Sequence, residues 1–301
     1  MLCWSALAAA QMVAPTGQQP VFKAESRLVV LHVSVRDRGG RYVTGLTKDA
    51  FTVIDDGQPQ SLEMFSADAV PASIGLLIDN SNSMAPSRER VIAATSAFAR
   101  NSHPQDEVFV LTFNEHVREA WAPAIIADTR PQQFAEAVAG AITARGMTAL
   151  YDGVAEGLRR VKQGAHTRQV LILLSDGGDN ASKTSQQDII RDSRRSDAVI
   201  YTVGLTDPLM GDGNPGLLRR LARETGGESY RPRTTDKVPE TLERIARDIR
   251  SAYTLAYAPA AGLGKDNRRR TVRVYVRSPD GRVLRVRVRD GYYAEPAGSH
   301  Q

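Results

Sequence analysis

Five oxygen-bearing side chains in three separate segments are the residues of this chain best suited to chemistry. In the first segment, Asp79-Asn80-Ser81-Asn82-Ser83 follows the apolar run Ile74–Ile78, and alternation sets one carboxylate and two hydroxyls on one side of the turn. The second, Gly146-Met147-Thr148-Ala149-Leu150-Tyr151-Asp152, stands at a loop-to-helix junction and offers the Thr148 hydroxyl. In the third, the run Leu171–Leu174 ends in Ser175-Asp176-Gly177-Gly178-Asp179, a carboxylate followed by a flexible turn. Hard oxygen donors at the carboxyl ends of strands suit a small hard cation such as Mg²⁺. Asp and Ser are also ordinary cap and turn residues. One such turn therefore says little, and three separately placed segments say more.

These segments need a scaffold that brings strand ends together. From about 72 to 251, apolar runs at Ile74–Ile78, Val108–Phe113, Val170–Leu174 and Val199–Leu205 alternate with amphipathic stretches. The helical stretches are Arg88–Arg100, Pro131–Thr143, Leu150–Lys162, Gln186–Arg195, Leu217–Thr225 and Val238–Ile249. Continuous apolar strands separated by helices predict an α/β fold: a doubly wound, mostly parallel sheet with helices on both faces. Ligands of such sheets bind outside the carboxyl ends of the strands, where Asp79 and Asp176 fall. On either side the chain reads as strands: Leu28–Val35, Phe51–Ile54 and Leu62–Phe65 before, Tyr253–Ala258, Thr271–Arg277 and Arg282–Arg289 after. Short connections within each group suggest antiparallel pairing. Either group alone is too small to be stable, so the expectation is one small antiparallel β-sandwich with the α/β domain inserted into it.

The set Asp79, Ser81, Ser83, Thr148 and Asp176 resembles the metal-ion-dependent adhesion site (MIDAS) of von Willebrand factor A domains, the integrin inserted-domain superfamily. Asp-x-Ser-x-Ser, a distal Thr and a strand-end Asp occur in that order, and the resemblance covers roughly residues 72 to 251. Asn82 departs from the Gly common at its position, and Asn tolerates left-handed backbone angles. Phe51-Thr52-Val53-Ile54-Asp55-Asp56-Gly57 and Asp290-Gly291-Tyr292-Tyr293 look like a bacterial subgroup of secreted relatives. The resemblance implies an α/β fold binding Mg²⁺ (or Mn²⁺ or Ca²⁺) through these five residues, the two carboxylates acting through water. An Asp or Glu carboxylate of a partner protein would complete the coordination. Asn80, Asn82, Met147, Gly177 and Asp179 flank the ligands and are expected to form the rim that meets the partner. A fold kept without use of the metal, or a metal-assisted hydrolase, stand as alternatives.

Catalytic readings find little support in the residues. A second Asp after Asp79, as in Asp-x-Asp phosphatases, is missing, and Gly177-Gly178 lacks the spacing of a phosphate loop. The five His residues show no i, i+4 pair and no zinc-protease signature. Basic charge is concentrated near the C-terminus. Lys265 to Arg289 holds ten Lys or Arg against two Asp, a balance of +8 within a total of +5, so the remainder sums to −3. Arg282, Arg285, Arg287 and Arg289, with Arg273 and Arg277 opposite, alternate with Val and Tyr, which predicts a hairpin with one basic, solvated face. Such a face could meet an acidic partner or anionic lipid, but aromatic residues for base stacking are few, and no nucleic-acid partner is expected.

The chain has 301 residues, 42% of them hydrophobic and 24% charged, as in soluble globular proteins. No apolar run approaches the roughly 20 residues that span a bilayer. Cys3 is the single cysteine, which excludes an intrachain disulfide and a cysteine-rich metal site. Leu2 to Ala10 is apolar and ends in Ala8-Ala9-Ala10-Gln11, a partial export signal without a basic leader. The expected organisation is a leader over 1–20, an N-terminal sandwich segment over 21–70, the α/β domain over 71–251, a C-terminal sandwich segment over 252–295 and a tail over 296–301. The protein is expected to be exported to the periplasm, the cell surface or the medium.

Overall fold

The computed structural model describes residues 28–205, 213–259, 268–278 and 280–293. The leader (1–20) and tail (296–301) expected from the sequence lie outside the described residues. In chain order the first elements are β1 (Val29–Arg36), β2 (Phe51–Asp55), β3 (Gln58–Gln60), β4 (Met64–Ser66) and β5 (Ala72–Asp79). Next come α1 (Arg88–Asn101), β6 (Glu107–Phe113), β7 (Val117–Ile125), α2 (Pro131–Ala141), α3 (Leu150–Val161), β8 (Arg168–Ser175) and α4 (Gln186–Arg195). The last are β9 (Val199–Gly204), α5 (Pro215–Thr225), β10 (Ser229–Tyr230), α6 (Val238–Ser251), β11 (Tyr253–Tyr257), β12 (Arg269–Val276), β13 (Arg285–Arg287) and β14 (Gly291–Tyr293).

Every residue of β5 is buried, as its unbroken apolar run requires of a strand covered on both faces. It sits inside a six-stranded sheet of order β10-β9-β8-β5-β6-β7. All pairings are parallel except that of β7 with β6. The apolar runs do not predict β7: its residues are half-buried or exposed, and Pro123 is tolerated because the strand lies at a sheet edge. One face of the sheet is covered by Phe98 of α1, Phe134 of α2 and Leu242 and Ile245 of α6. The other is covered by Val154 of α3, Ile189 of α4 and Leu217 and Leu221 of α5. Helix α3 approaches β5 closely through Gly157, where a Cβ would stand 2.7 Å from Leu77 Cδ1. Asn214 caps α5 by accepting from the Leu217 amide at 3.0 Å, Pro215 occupies the first helical position, and Gly226 ends the helix at φ 82°.

Two four-stranded sheets, β13-β1-β11-β4 and β14-β12-β2-β3, share a third core. Both mix strands from before and after the α/β unit. β1 runs antiparallel to β11 from Val29↔Tyr257 to Val33↔Tyr253, and β2 runs antiparallel to β12 from Phe51↔Val276 to Asp55↔Val272. The sandwich is therefore interleaved: the antiparallel pairings expected between neighbouring strands do not form, and the one hairpin on the N-terminal side joins β2 to β3, a strand not among those expected. A buried Asp55 joins the sheets' ends, accepting from Arg270 Nε at 3.0 Å and from the Tyr257 and Tyr292 hydroxyls at 3.1 and 2.9 Å.

The C-terminal basic hairpin requires correction. β13 does not pair with β12 but crosses to β1, from Ser34↔Arg287 to Arg36↔Arg285. Arg273, Arg277, Arg282 and Arg285 are exposed, whereas Arg287 and Arg289 turn inward. Arg287 donates to the fully buried Asp248 of α6. That carboxylate also accepts from Ser34 at 2.7 Å, Arg36 at 3.0 Å and Tyr201 at 2.7 Å. Arg289 is buried and donates to the Gly291, Arg194 and Ser196 carbonyls. Period-2 alternation alone does not show that the opposite face meets a folded neighbour carrying anions and free carbonyls.

Candidate metal centre

β5 is the switch point of the sheet: the chain passes to β6 on one side and later returns to β8 on the other. The crevice beyond its carboxyl end is the expected ligand position for such a sheet. Register places the chemistry. Ile78 pairs with Leu174, so Asp79 comes level with Ser175, and the Ser175 hydroxyl donates to Asp79 Oδ2 at 2.6 Å. Asp79 Oδ1 accepts from the Ser81 amide at 3.0 Å and the Ser81 hydroxyl at 2.6 Å. The Ser81 and Ser83 hydroxyl oxygens lie 3.1 Å apart, held by the 3-10 turn Asn82–Ser87 that leads into α1.

Backbone bonds stitch the three segments into one surface. The Asn82 amide donates to the Gly146 carbonyl at 3.1 Å, and the Gly146 amide returns a bond to Asn82 Oδ1 at 3.1 Å. The Thr148 amide donates to Asn180 Oδ1 at 2.8 Å, while the Thr148 carbonyl accepts from the Asn180 and Ala181 amides at 2.9 and 3.0 Å. With its backbone fixed on both sides, the Thr148 hydroxyl makes no hydrogen bond among the described residues. Asp176 accepts from the Gly178 amide through Oδ1 at 2.9 Å, leaving Oδ2 without a partner there. Gly177 holds φ 89°, and a Cβ on it would meet the Asn214 carbonyl oxygen at 2.7 Å, so the turn after Asp176 needs glycine twice over.

Burial dominates the electrostatics of the Asp79 carboxylate. Burial pushes the Asp79 carboxyl up to about 6, the hydroxyls of Ser175 and Ser81 and the Ser81 amide pull it down, and the charge of Asp176 pushes it up again. None of these influences is a cation. A divalent ion would supply the missing positive charge, and the donors present fit one: two carboxylates and three hydroxyls, all hard oxygens. Among the described residues no three His, Cys, Asp or Glu side chains cluster as ligands, so any cation here depends on the hydroxyls.

The rim differs from the expected one. Asn82 is exposed, and Met147 is 51% exposed, held by a bond from its amide to Glu115 Oε1 at 2.8 Å. Asn80, expected to face a partner, is buried and is spent as a latch. Its Oδ1 accepts from the Thr143 and Ala144 amides at 2.7 and 2.6 Å, and its Nδ2 donates to the Ala141 carbonyl at 3.1 Å. Gly177 is buried as well. Asp179 is half-buried, and its Oδ1 is occupied by the Ser182 hydroxyl at 2.5 Å. Sequence reasoning passes over Ser175 as part of the strand-end turn and misses it as the group that orients Asp79. The adjacent apolar runs hold the signal, because equal distances from their strand ends set the two residues level. Asn180 and Glu115 carry no such signal.

The model of the von Willebrand factor type A domain matches residues 73–246, more than half of the chain. Among solved structures, proximal thread matrix protein 1 from the mussel byssus is similar at 16% identity and a TM-score of 0.53, covering 65% of this chain and 51% of that one. The chain thus spans about half the length of that structure. A von Willebrand factor type A protein from Catenulispora acidiphila matches at 14% identity and a TM-score of 0.51, covering 91% and 76%. The mussel protein with a zinc-occupied MIDAS motif matches at 18% identity and a TM-score of 0.51, covering 65% and 49%. Comparison with the curated proteins found no match.

Proposed function

The chain belongs to the von Willebrand factor type A domain family, and we propose that it is a divalent-cation-dependent protein-binding module, an adhesion or scaffolding component and not an enzyme. Ser81, Ser83 and Thr148 would hold the ion directly, with Asp79 and Asp176 one water removed. Bound there, a divalent cation supplies a Lewis-acidic position for an external carboxylate. The chain's own residues do the positioning. Ser175 and Ser81 orient Asp79, the Asn80 latch fixes the 141–144 turn, and the bonds from Asn180 and Ala181 hold Thr148.

The observation that carries this reading is the Thr148 hydroxyl, unpartnered among the described residues, on a segment bonded to the Asp79–Ser83 turn through Gly146 and to the turn after Asp176 through Asn180, at the switch point of the sheet. An Asp or Glu of a partner protein fits as the remaining ligand, and its desolvated contact would be a hot spot. Exposed Met147 and Asn82 supply the adjoining contact surface. We place the family domain at 71–251, between the two sandwich segments at 21–70 and 252–295, and the protein outside the cytoplasm. Among the described residues no helix is long and apolar enough to cross a membrane.

Calorimetric titration with Mg²⁺, Mn²⁺, Ca²⁺ and Zn²⁺ tests the site, zinc being included because the mussel protein's motif holds it. Binding by wild type that is lost in Ser81→Ala/Ser83→Ala with unchanged circular dichroism is the expected result. No binding by wild type at millimolar ion overturns the proposal and leaves a structural domain. A pull-down with and without EDTA then asks for the partner.

A further inference from the structure

A second, metal-independent site follows from the correction to the basic hairpin. Between α5 and the sandwich runs a cleft of about 940 Å³, and we propose that it docks an extended acidic peptide segment of a partner protein as an added β-strand. The start of β12 pairs antiparallel with β14, from Arg269↔Tyr293 to Thr271↔Gly291, and the Val272 amide donates to the Asp290 carbonyl at 3.1 Å. There the strands diverge, because residues 285–287 leave to pair with β1 in the other sheet. Among the described residues the edge of β12 beyond Val272 has no ladder partner on that side.

Alternation identifies the groups left open. The Thr271 carbonyl accepts from the Asp56 amide and the Arg277 amide donates to the Ala50 carbonyl, so odd-numbered residues of β12 face β2. Val272 faces the other way, and Val274 and Val276 share its direction. Their amides and carbonyls point to the open edge, with Val274 in the cleft lining. Across the cleft, β13 is the outermost strand of its own sheet. Two unpaired edges therefore flank one opening, the condition for strand addition.

Charge selects the occupant. Arg219 and Arg223, one turn apart on α5, and Arg273 on β12 line the cleft, are exposed, and carry no ion pair among the described residues. The acidic side chains of the lining are already engaged, Glu228 with Arg36 at 2.9 Å and Asp290 with Arg269. Arginine on an open edge repels a second copy of the same edge and admits a strand of opposite charge. Tyr275, 56% exposed, is the one aromatic residue of the lining, too few for a single-strand nucleic-acid platform, and phosphates would leave the backbone edge unused.

The probe is a fluorescein-labelled peptide of alternating Glu and Val, titrated by anisotropy in EDTA with the whole chain. Expected are saturable, salt-sensitive binding, slowed hydrogen exchange at the Val274 and Val276 amides, and an unchanged Kd in Asp79→Ala. That last comparison separates failure here from failure of the metal-site reading. Arg219→Glu/Arg223→Glu, both exposed and free of packing roles, weakens binding by about ten-fold, equal to about 1.4 kcal/mol. N-methylation of alternate peptide amides weakens it by a similar factor. The proposal is overturned if the peptide fails to bind at millimolar concentration, if the double variant binds it equally while folded, if N-methylation changes nothing, or if a single-stranded oligonucleotide binds as tightly.

Discussion

Replacing Asp248 with Asn removes one charge from the point where the sandwich and the α/β unit are joined. The carboxylate is fully buried and accepts from Ser34 and Arg36 of β1, Tyr201 of β9 and Arg287 of β13. Burial alone would raise its pKa, but Arg287 and Arg36 beside it hold it below the usual carboxylate range. The amide keeps the shape and loses both ion pairs. Removing one partner of a buried pair costs about 3–5 kcal/mol, because the other charge stays buried and uncompensated. Arg36 retains Glu228 at 2.9 Å, while Arg287 has it only at 3.9 Å, so the expected loss lies at the lower end, about 3 kcal/mol. With a urea slope of roughly 3 kcal/mol per molar, that lowers the unfolding midpoint by about 1 M. The companion variant Arg36→Met/Asp248→Leu/Arg287→Met, which removes all three charges together, recovers most of the loss. A drop in midpoint below about 0.3 M for Asp248→Asn, or a triple variant no better than the single one, would refute this account of the junction.

Asp248 also predicts an acid limb. Its folded pKa is lowered, so its contribution is complete above the unfolded value of about 3.9 and is lost as pH falls through the folded one. Wild-type stability should decline below about pH 4 more steeply than that of Asp248→Asn, as followed by urea midpoints across the acid range. Asn80→Ala leaves the amides of Ala144 and Thr143 without acceptors, at about 1–3 kcal/mol for the buried Ala144 amide and less for that of the exposed Thr143. Faster hydrogen exchange at those two amides and a lower midpoint are expected, and unchanged exchange would remove the latch from the description. Gly177→Ala combines a positive φ with a clash against the Asn214 backbone. It should weaken metal binding at least ten-fold, about 1.4 kcal/mol or more, with the far-ultraviolet spectrum unchanged.

How far the fold can be read ahead depends on where each residue's neighbours come from. β5, β6, β8 and β9 are legible because their unbroken apolar runs encode burial on both faces, and the helices between them because their apolar stripes are local. The interleaving of the sandwich is not, since β1 and β2 have similar alternation and nothing in it selects β11 for one and β12 for the other. Arg287 and Arg289 read as a solvated face because their partners, Asp248 and the carbonyls near Ser196, belong to helices and loops far away in sequence. At the candidate site, types and order are readable, and the supporting bonds are not. Ser175 follows from register, but Asn180 and Asn80 act through backbone groups that every residue carries.

The pairing of β1 with β11 also sets a timetable. Val29 must wait for Tyr257, a delay that at ordinary translation rates lasts on the order of tens of seconds. Through that interval the α/β unit has its own cores and can close, while a valine-rich strand remains unpaired at the emerging end. A cell making this protein must hold that strand apart from other chains until synthesis has passed β11. The same order of events means that a chain cut short after α6 would carry a finished family domain preceded by β1 and β4, whose shared partner β11 is missing.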